Sequence, residues 1–398
     1  MDDRRDLARR IFAAGVMAAD PVAAVTRHLD DIATPALTIA VGKAARGMAQ
    51  AALGRFAGVP TIVVTNYENA QPLDGAQVLA AGHPVPDDNG AEAAKAVIAA
   101  LQAAKGPVLA LISGGGSALL PAPAGALTLA DKIAVNTLLL GSGLDIRDMN
   151  LIRQQLSDLK GGGMLRHAAP HPVTALILSD VVGNDLSAIA SGPTARPIGT
   201  AAQAVTLLQS AGLWDRVPPA VRDHLGQARP VPDLPAALNI LIGSNAQSVA
   251  AMAKAAGAAF VIPEPVTGDV ADAAQLICDQ ARPGITLWGG ETTVVLKGKG
   301  RGGRNQELAL RIAIEAARRG WVAWTCLQGG SDGRDGPTEA AGGIVDQDTL
   351  ARIDDVAGLL ANNDSHAALA QAGGLLMTGA TGTNVADLGV LIRGGSHD

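Results

Sequence analysis

Residues 296–312 read LKGKGRGGRNQELALRI. Lys297, Lys299, Arg301 and Arg304 are interleaved there with Gly298, Gly300, Gly302 and Gly303, directly ahead of a helical pattern. Glycine lets a chain turn its N–H groups toward a ligand, and a following helix adds the positive end of its dipole. The combination is expected to cradle a multiply charged anion such as a polyphosphate. The stretch also satisfies G-x-G-x-x-G literally. A dinucleotide turn has no use for so many cations, however, and the next strand ends at Gln328 rather than at an acid suited to a ribose.

Other residue groups suit the same chemistry. In LISGGGSALL a strand runs into Gly114, Gly115 and Gly116, then Ser117 at a helix start. Its amides and hydroxyl suit a phosphate or a carboxylate, and the plainer alternative is a tight turn with Ser117 as helix cap. No Lys-Ser/Thr pair follows, so this is not a Walker A loop. Lys43 follows a buried strand and Gly42, where a lysine reaches a phosphoryl group as a point charge. Asp180 ends another strand, with Asn184 and Asp185 after it. A carboxylate there serves as a Mg²⁺ ligand or as base for a substrate hydroxyl. Asp332 and Asp335 flank Arg334 in GGSDGRDGPT, a pattern suited to a metal and phosphate site. His83, in AGHPVPDD, is a minor candidate. His366 belongs to a helix start. Arg153 and Lys160 are seven apart on one expected helical face, pointing to a ligand or to solvent.

These residues sit where a repeating strand, glycine loop and helix pattern places them. ALTIAVGKAARGMAQAAL, VPTIVVTNYE, GPVLALISGGGSALL and PVTALILSDVVG carry near-continuous apolar strands between helices, including one capped by Asp87 or Asp88. Such strands imply a parallel sheet covered on both faces, whose ligands lie beyond the strands' carboxyl ends. Proline-rich GQARPVPDLPAAL marks a linker near 226–237, after which strand–helix units resume. ETTVVLKG alternates Thr with Val and suits an antiparallel or edge position. The expected architecture is α/β in two domains. The first, residues 1–237, carries the parallel sheet and the second is residues 238–398, with the glycine loops of the two expected to face a cleft.

Composition limits the partners. The 398 residues carry a formal charge of −6 with 48% hydrophobic residues, which disfavours a nucleic-acid partner and disorder. The two cysteines make no disulfide framework and suit a reducing cytoplasm. The N-terminus reads as an amphipathic helix rather than a signal peptide, and no apolar run is long enough to span a membrane.

Several motifs carry a resemblance along nearly the whole chain. VGKAARGMA, AGHPVPD, LISGGGSALL, LILSDVVGNDLSAIASGPT, GRGGRNQELAL, GGSDGRDGPTEAAGGIVD, LANNDSHAAL and TGTNVADLGVLI resemble the glycerate 2-kinase family, whose C-terminal half is the MOFRL domain. The resemblance implies a Rossmann-like N-terminal sheet sandwich, a smaller α/β C-terminal domain with the active site in the cleft between them, and ATP-dependent phosphorylation of D-glycerate to 2-phosphoglycerate; Mg²⁺ is expected with the ATP, and a monomer or homodimer in the cytoplasm. It places the family's lysine on Lys43, its acid on Asp180, its arginine on Arg304 and its second acidic loop on Asp332 and Asp335. The turn TNYENAQPL departs from the basic turn expected after the second strand. Competing readings are an NAD(P)H-dependent hydroxypyruvate reductase and a non-catalytic phosphosugar-binding module.

Overall fold

A computed structural model describes residues 2–227, 234–235 and 237–394. Most of the expected linker at 226–237 lies outside the described residues. The chain divides into two compact units, Pro21–Ile242 and the combination of Met1–Asp20 with Gly243–Asp398.

The first unit is built on strands β1 (Leu37–Val41), β2 (Thr61–Asn66), β3 (Gln77–Ala81), β4 (Val108–Ser113), β5 (Val173–Leu178) and β6 (Ala237–Gly243). Their order is β3-β2-β1-β4-β5-β6. The pairs from β3 through β5 are parallel, with Thr38 opposite both Thr61 and Leu109. Every residue of β1 and β4 is buried, which accounts for their unbroken apolar sequence. Ile39, Val41, Ile112 and Ile177 pack with Val97 and Leu101 of helix Asp88–Ala103. Asp87 caps that helix, its carboxylate accepting from the Gly90 N–H at 2.9 Å. A chain that fills β1, β2 and β3 outward and then returns to place β4 beside β1 has its topological switch point between β1 and β4. Ligands of open α/β sheets bind at the carboxyl ends of strands there.

The second unit holds a mixed sheet in which β9 (Gly284–Thr293), β10 (Trp324–Gly330), β11 (Gly342–Asp346), β12 (Leu375–Leu376) and β13 (Asp387–Arg393) join β7 (Ala259–Val261) and β8 (Val266–Asp269). The order is β12-β11-β10-β13-β9-β7, with β8 also on β9. The ETT segment lies within β9, an interior strand, antiparallel to β13 and parallel to β7 and β8. The N-terminal helix Asp2–Ala18 stands with the first domain in sequence order but packs in this unit. Ala8, Ile11 and Phe12 pack with Leu327, Ile344 and Val390, and Arg5 pairs with Asp346 at 2.7 Å.

Candidate active site

The turns after β1 and β4 are tied together at the switch point. Lys43 N–H donates to the Gly114 carbonyl at 2.9 Å, and Ala44 N–H donates to Ser113 Oγ at 3.1 Å. Asn69 Nδ2, from the turn after β2, donates to the Lys43 carbonyl at 3.0 Å. Asp180, just beyond β5, packs directly on Gly114, so closely that any side chain at 114 would collide with its carboxylate. This close approach is what requires glycine there. A Cβ at Gly115 would meet the His83 ring at 3.1 Å and Lys43 Cγ at 3.3 Å. The fold thus gathers Lys43, His83, the Gly114–Ser117 turn and Asp180 from four strand ends. Asn184 follows in the loop after β5, where Asn184, Ala190 and Ser191 all have positive φ. Non-glycine residues held so are sparsely populated states, and they concentrate at functional loops.

Ser117 does not cap a helix. The short helix Gly116–Leu119 has Gly115 at its N-cap, and the Ser117 hydroxyl faces Ser191 Oγ at 3.0 Å and accepts from Lys160 Nζ at 2.5 Å. Beside it lies a cavity of ≈ 220 Å³ lined by His83, Gly115, Ser117, Lys132, Asn136, Arg153 and Lys160, with Pro84, Pro121, Val135 and Leu156 among its apolar walls. Arg153 donates through Nη2 to Asn136 Oδ1 at 2.6 Å and through Nη1 to Asn150 Oδ1 at 3.3 Å. Lys132 donates to the Leu156 carbonyl at 3.0 Å. Lys160 is only 7% exposed. Burial, reinforced by the charge of Arg153, pushes the Lys160 ammonium down to about 7, and burial drives Lys132 well below the ordinary lysine range.

Of these three cations, Arg153 and Lys160 stand out in the sequence and Lys132 does not. Arg153 and Lys160 do not share a helical face, because the helix Ile146–Gln155 ends before Lys160. The intervening bends, rather than helical periodicity, bring both to one cavity. Lys132 lies on helix Leu129–Leu140, where its sequence signal is that of any polar helix position.

The basic loop of the second unit departs from expectation. Its amides are engaged internally. Those of Lys297 and Gly298 donate to Asn363 Oδ1 at 2.7 and 3.0 Å, that of Lys299 to Asn362 Oδ1 at 3.1 Å, that of Gly300 to the Asn362 carbonyl at 2.8 Å, and that of Arg301 to Asp364 Oδ1 at 3.1 Å. A Cβ on Gly300 or Gly302 would collide with residues 362–365, so these glycines serve close packing. Gly303 precedes helix Arg304–Arg318, whose N-terminus is occupied by Asp335. The Asp335 carboxylate accepts from the N–H groups of Asn305 at 3.1 Å and Gln306 at 2.8 Å and from the Gln306 side chain at 3.0 Å. Five of the loop's amides thus serve an internal clamp rather than an anion cradle, and both Asp335 oxygens accept from the first turn of the helix. Burial outweighs those hydrogen bonds and pushes its carboxyl up to about 6.

Arg304 donates through Nε to Asp387 at 2.6 Å and pairs through Nη1 with Glu291 at 2.9 Å, which holds its guanidinium firmly charged. Asp332 accepts from the Arg334 N–H at 3.0 Å. His366 lies in the first turn of helix Ser365–Gln371, its Nδ1 3.1 Å from Gln306 Oε1. Among the described residues, no three His, Cys, Asp or Glu side chains gather as a metal cage. No helix of the described residues is long and apolar enough to cross a membrane.

Fold and site define an α/β protein of Rossmann strand order with a cationic glycine-turn site at its switch point. Residues 7–226 match a domain family of unknown function, DUF4147, and residues 284–387 match the MOFRL family. A glycerate 2-kinase of Pyrococcus horikoshii is 36% identical, over 98% of this chain and 97% of its own length. An Agrobacterium vitis protein with a provisional hydroxypyruvate reductase name is 37% identical, over 98% and 94%. The crystal structure of a glycerate kinase from Thermotoga maritima superposes with a TM-score of 0.88 at 35% identity, covering 99% of this chain and all of that one. The chain belongs to the MOFRL-type glycerate kinase family, a family of enzymes.

Proposed function

We propose that the protein phosphorylates D-glycerate at its 2-hydroxyl, using ATP with Mg²⁺ and giving 2-phosphoglycerate. The observation that carries this reading is the joint placement of Lys43, Asp180 and the Gly114–Ser117 turn at the β1/β4 switch point. Phosphoryl transfer asks a protein mainly for positioning and for stabilisation of charge. Asp180, against Gly114, takes the proton of the attacking hydroxyl or orients it. Lys43 neutralises charge on the transferring group. Arg304 is carried as a second such cation on the family resemblance. Mg²⁺ on ATP needs one or two protein carboxylates, and Asp332 fits that donor chemistry because, unlike Asp335, it caps no helix. The ion supplies charge neutralisation of the phosphates when bound.

The relatives named as reductases raise the hydride-transfer alternative. The first strand–helix turn disfavours it. It reads Gly42-Lys43-Ala44-Ala45-Arg46-Gly47, with Ala44 where dinucleotide turns place the glycine that brings bare backbone against a pyrophosphate. The test supplies the protein with ATP, Mg²⁺ and D-glycerate, and separately with NADH and hydroxypyruvate. ADP release that depends on glycerate is expected. NADH oxidation without ADP release would replace the kinase reading by the reductase.

A further inference from the structure

We infer that the cavity beside Ser117 is the carboxylate subsite for a short hydroxy acid, with Lys160 and Arg153 as its principal anchors and Lys132 and Asn136 as supporting groups. The inference rests on the glycerate reading, and it assigns to residues outside the Lys43 and Asp180 cluster the recognition of the acid end.

Three cations line the cavity and no acid does. A buried ammonium without a counter-ion is unfavourable, so a fold that keeps Lys160 buried among Lys132 and Arg153 is built for an anion that completes it. Asp158, on the adjoining segment, acts on Lys132 through its charge but is paired with Arg166 at 3.3 Å and does not line the cavity. Arg153 is pre-oriented by Asn136 and Asn150, and Lys160 by Ser117, so the donors are fixed before a ligand arrives.

Size then decides which anion. At ≈ 220 Å³ the cavity is smaller than the roughly 300–1,000 Å³ of pockets that enclose drug-sized ligands. A nucleotide exceeds it and a short acid fits. Its apolar walls, Pro84, Pro121, Val135 and Leu156, lower the local dielectric and strengthen each charged hydrogen bond. The position fits too. Ser117 is three residues from Gly114, on which Asp180 packs, so an acid anchored at Lys160 directs its hydroxyl toward the base.

The test measures binding by calorimetry, without nucleotide, on the full-length protein and on Lys160→Met and Arg153→Met, with thermal melts to confirm folding. The probes are D-glycerate, L-lactate, glycerol and inorganic phosphate; ADP affinity is measured in parallel. Expected are glycerate binding that falls at least tenfold in both variants, no glycerol binding, and ADP affinity unchanged. Glycerate binding equal in wild type and variants would overturn the subsite and leave the kinase reading intact. Lactate binding lost in the variants, with no glycerate binding to wild type, would support the subsite and overturn the choice of glycerate. Phosphate binding lost in the variants, with carboxylates indifferent, would overturn the carboxylate assignment. So would a fall in ADP affinity alone.

Discussion

At the residue scale the proposed chemistry rests on Asp180 and Lys43, which different strand ends bring to one glycine turn. Positioned proton transfer contributes typically about 10²–10⁴ in rate, and one charge-stabilising donor about 10²–10³. Asp180→Asn is therefore expected to lower kcat by at least about 100-fold. Lys43→Ala should lower it by a similar factor. The check is steady-state ADP release at saturating ATP and glycerate. Near-normal kcat in either variant would remove that residue from its role. The contrast with Lys160 and Arg153 is instructive, because substitutions there should appear first in the KM for the acid.

Among the elements, the helix Arg304–Arg318 shows how one acid can be misread from sequence. Asp335 sits on the first amides of the helix and also holds the Gln306 side chain. Losing such a cap costs about 0.5–2 kcal/mol, and leaving buried donors unpaired adds to it. Asp335→Ala is expected to lower stability by about 2 kcal/mol or more, read as a shift of the urea midpoint. An unchanged midpoint would mean that the carboxylate is not the cap. The buried strands and their glycine turns were legible because a covered parallel sheet leaves long apolar runs. The edge strand β3 was not, since its half-exposed residues carry no such run. β11 and β13 were not either, because no helix separates β10 from β11 and the helices between β11 and β13, Val356–Ala361 and Ser365–Gln371, are short. The basic loop misled because its partners, Asn362, Asn363 and Asp364, are about sixty residues away, and no local pattern links them. The same holds for Lys132, Arg153 and Lys160, which meet only through the fold.

For the whole molecule, the cationic cavity sets stability against ligand binding. Lys160 has its folded-state pKa lowered from 10.5 to about 7. Between those values the unfolded chain binds more protons, so this group makes stability rise with pH from about 7 to about 10. Below about 7 the full penalty of the buried charge is present. Each unit of the depression corresponds to about 1.4 kcal/mol. Lys160→Met should therefore melt above wild type at pH 6.5, with the gap closing as pH rises toward 10. Melting curves that stay parallel across this range would show that the buried ammonium carries no such cost. Stabilisation on losing a binding residue is the trade-off expected where a site is held ready for a ligand.

Transfer of a phosphoryl group to the 2-hydroxyl of glycerate is tested by the identity of the product. The most direct measurement incubates the protein with ATP, Mg²⁺ and D-glycerate and couples the product to enolase with no phosphoglycerate mutase present. Immediate formation of phosphoenolpyruvate is expected. A signal that appears only after mutase is added would place the phosphoryl group on the 3-hydroxyl and contradict it.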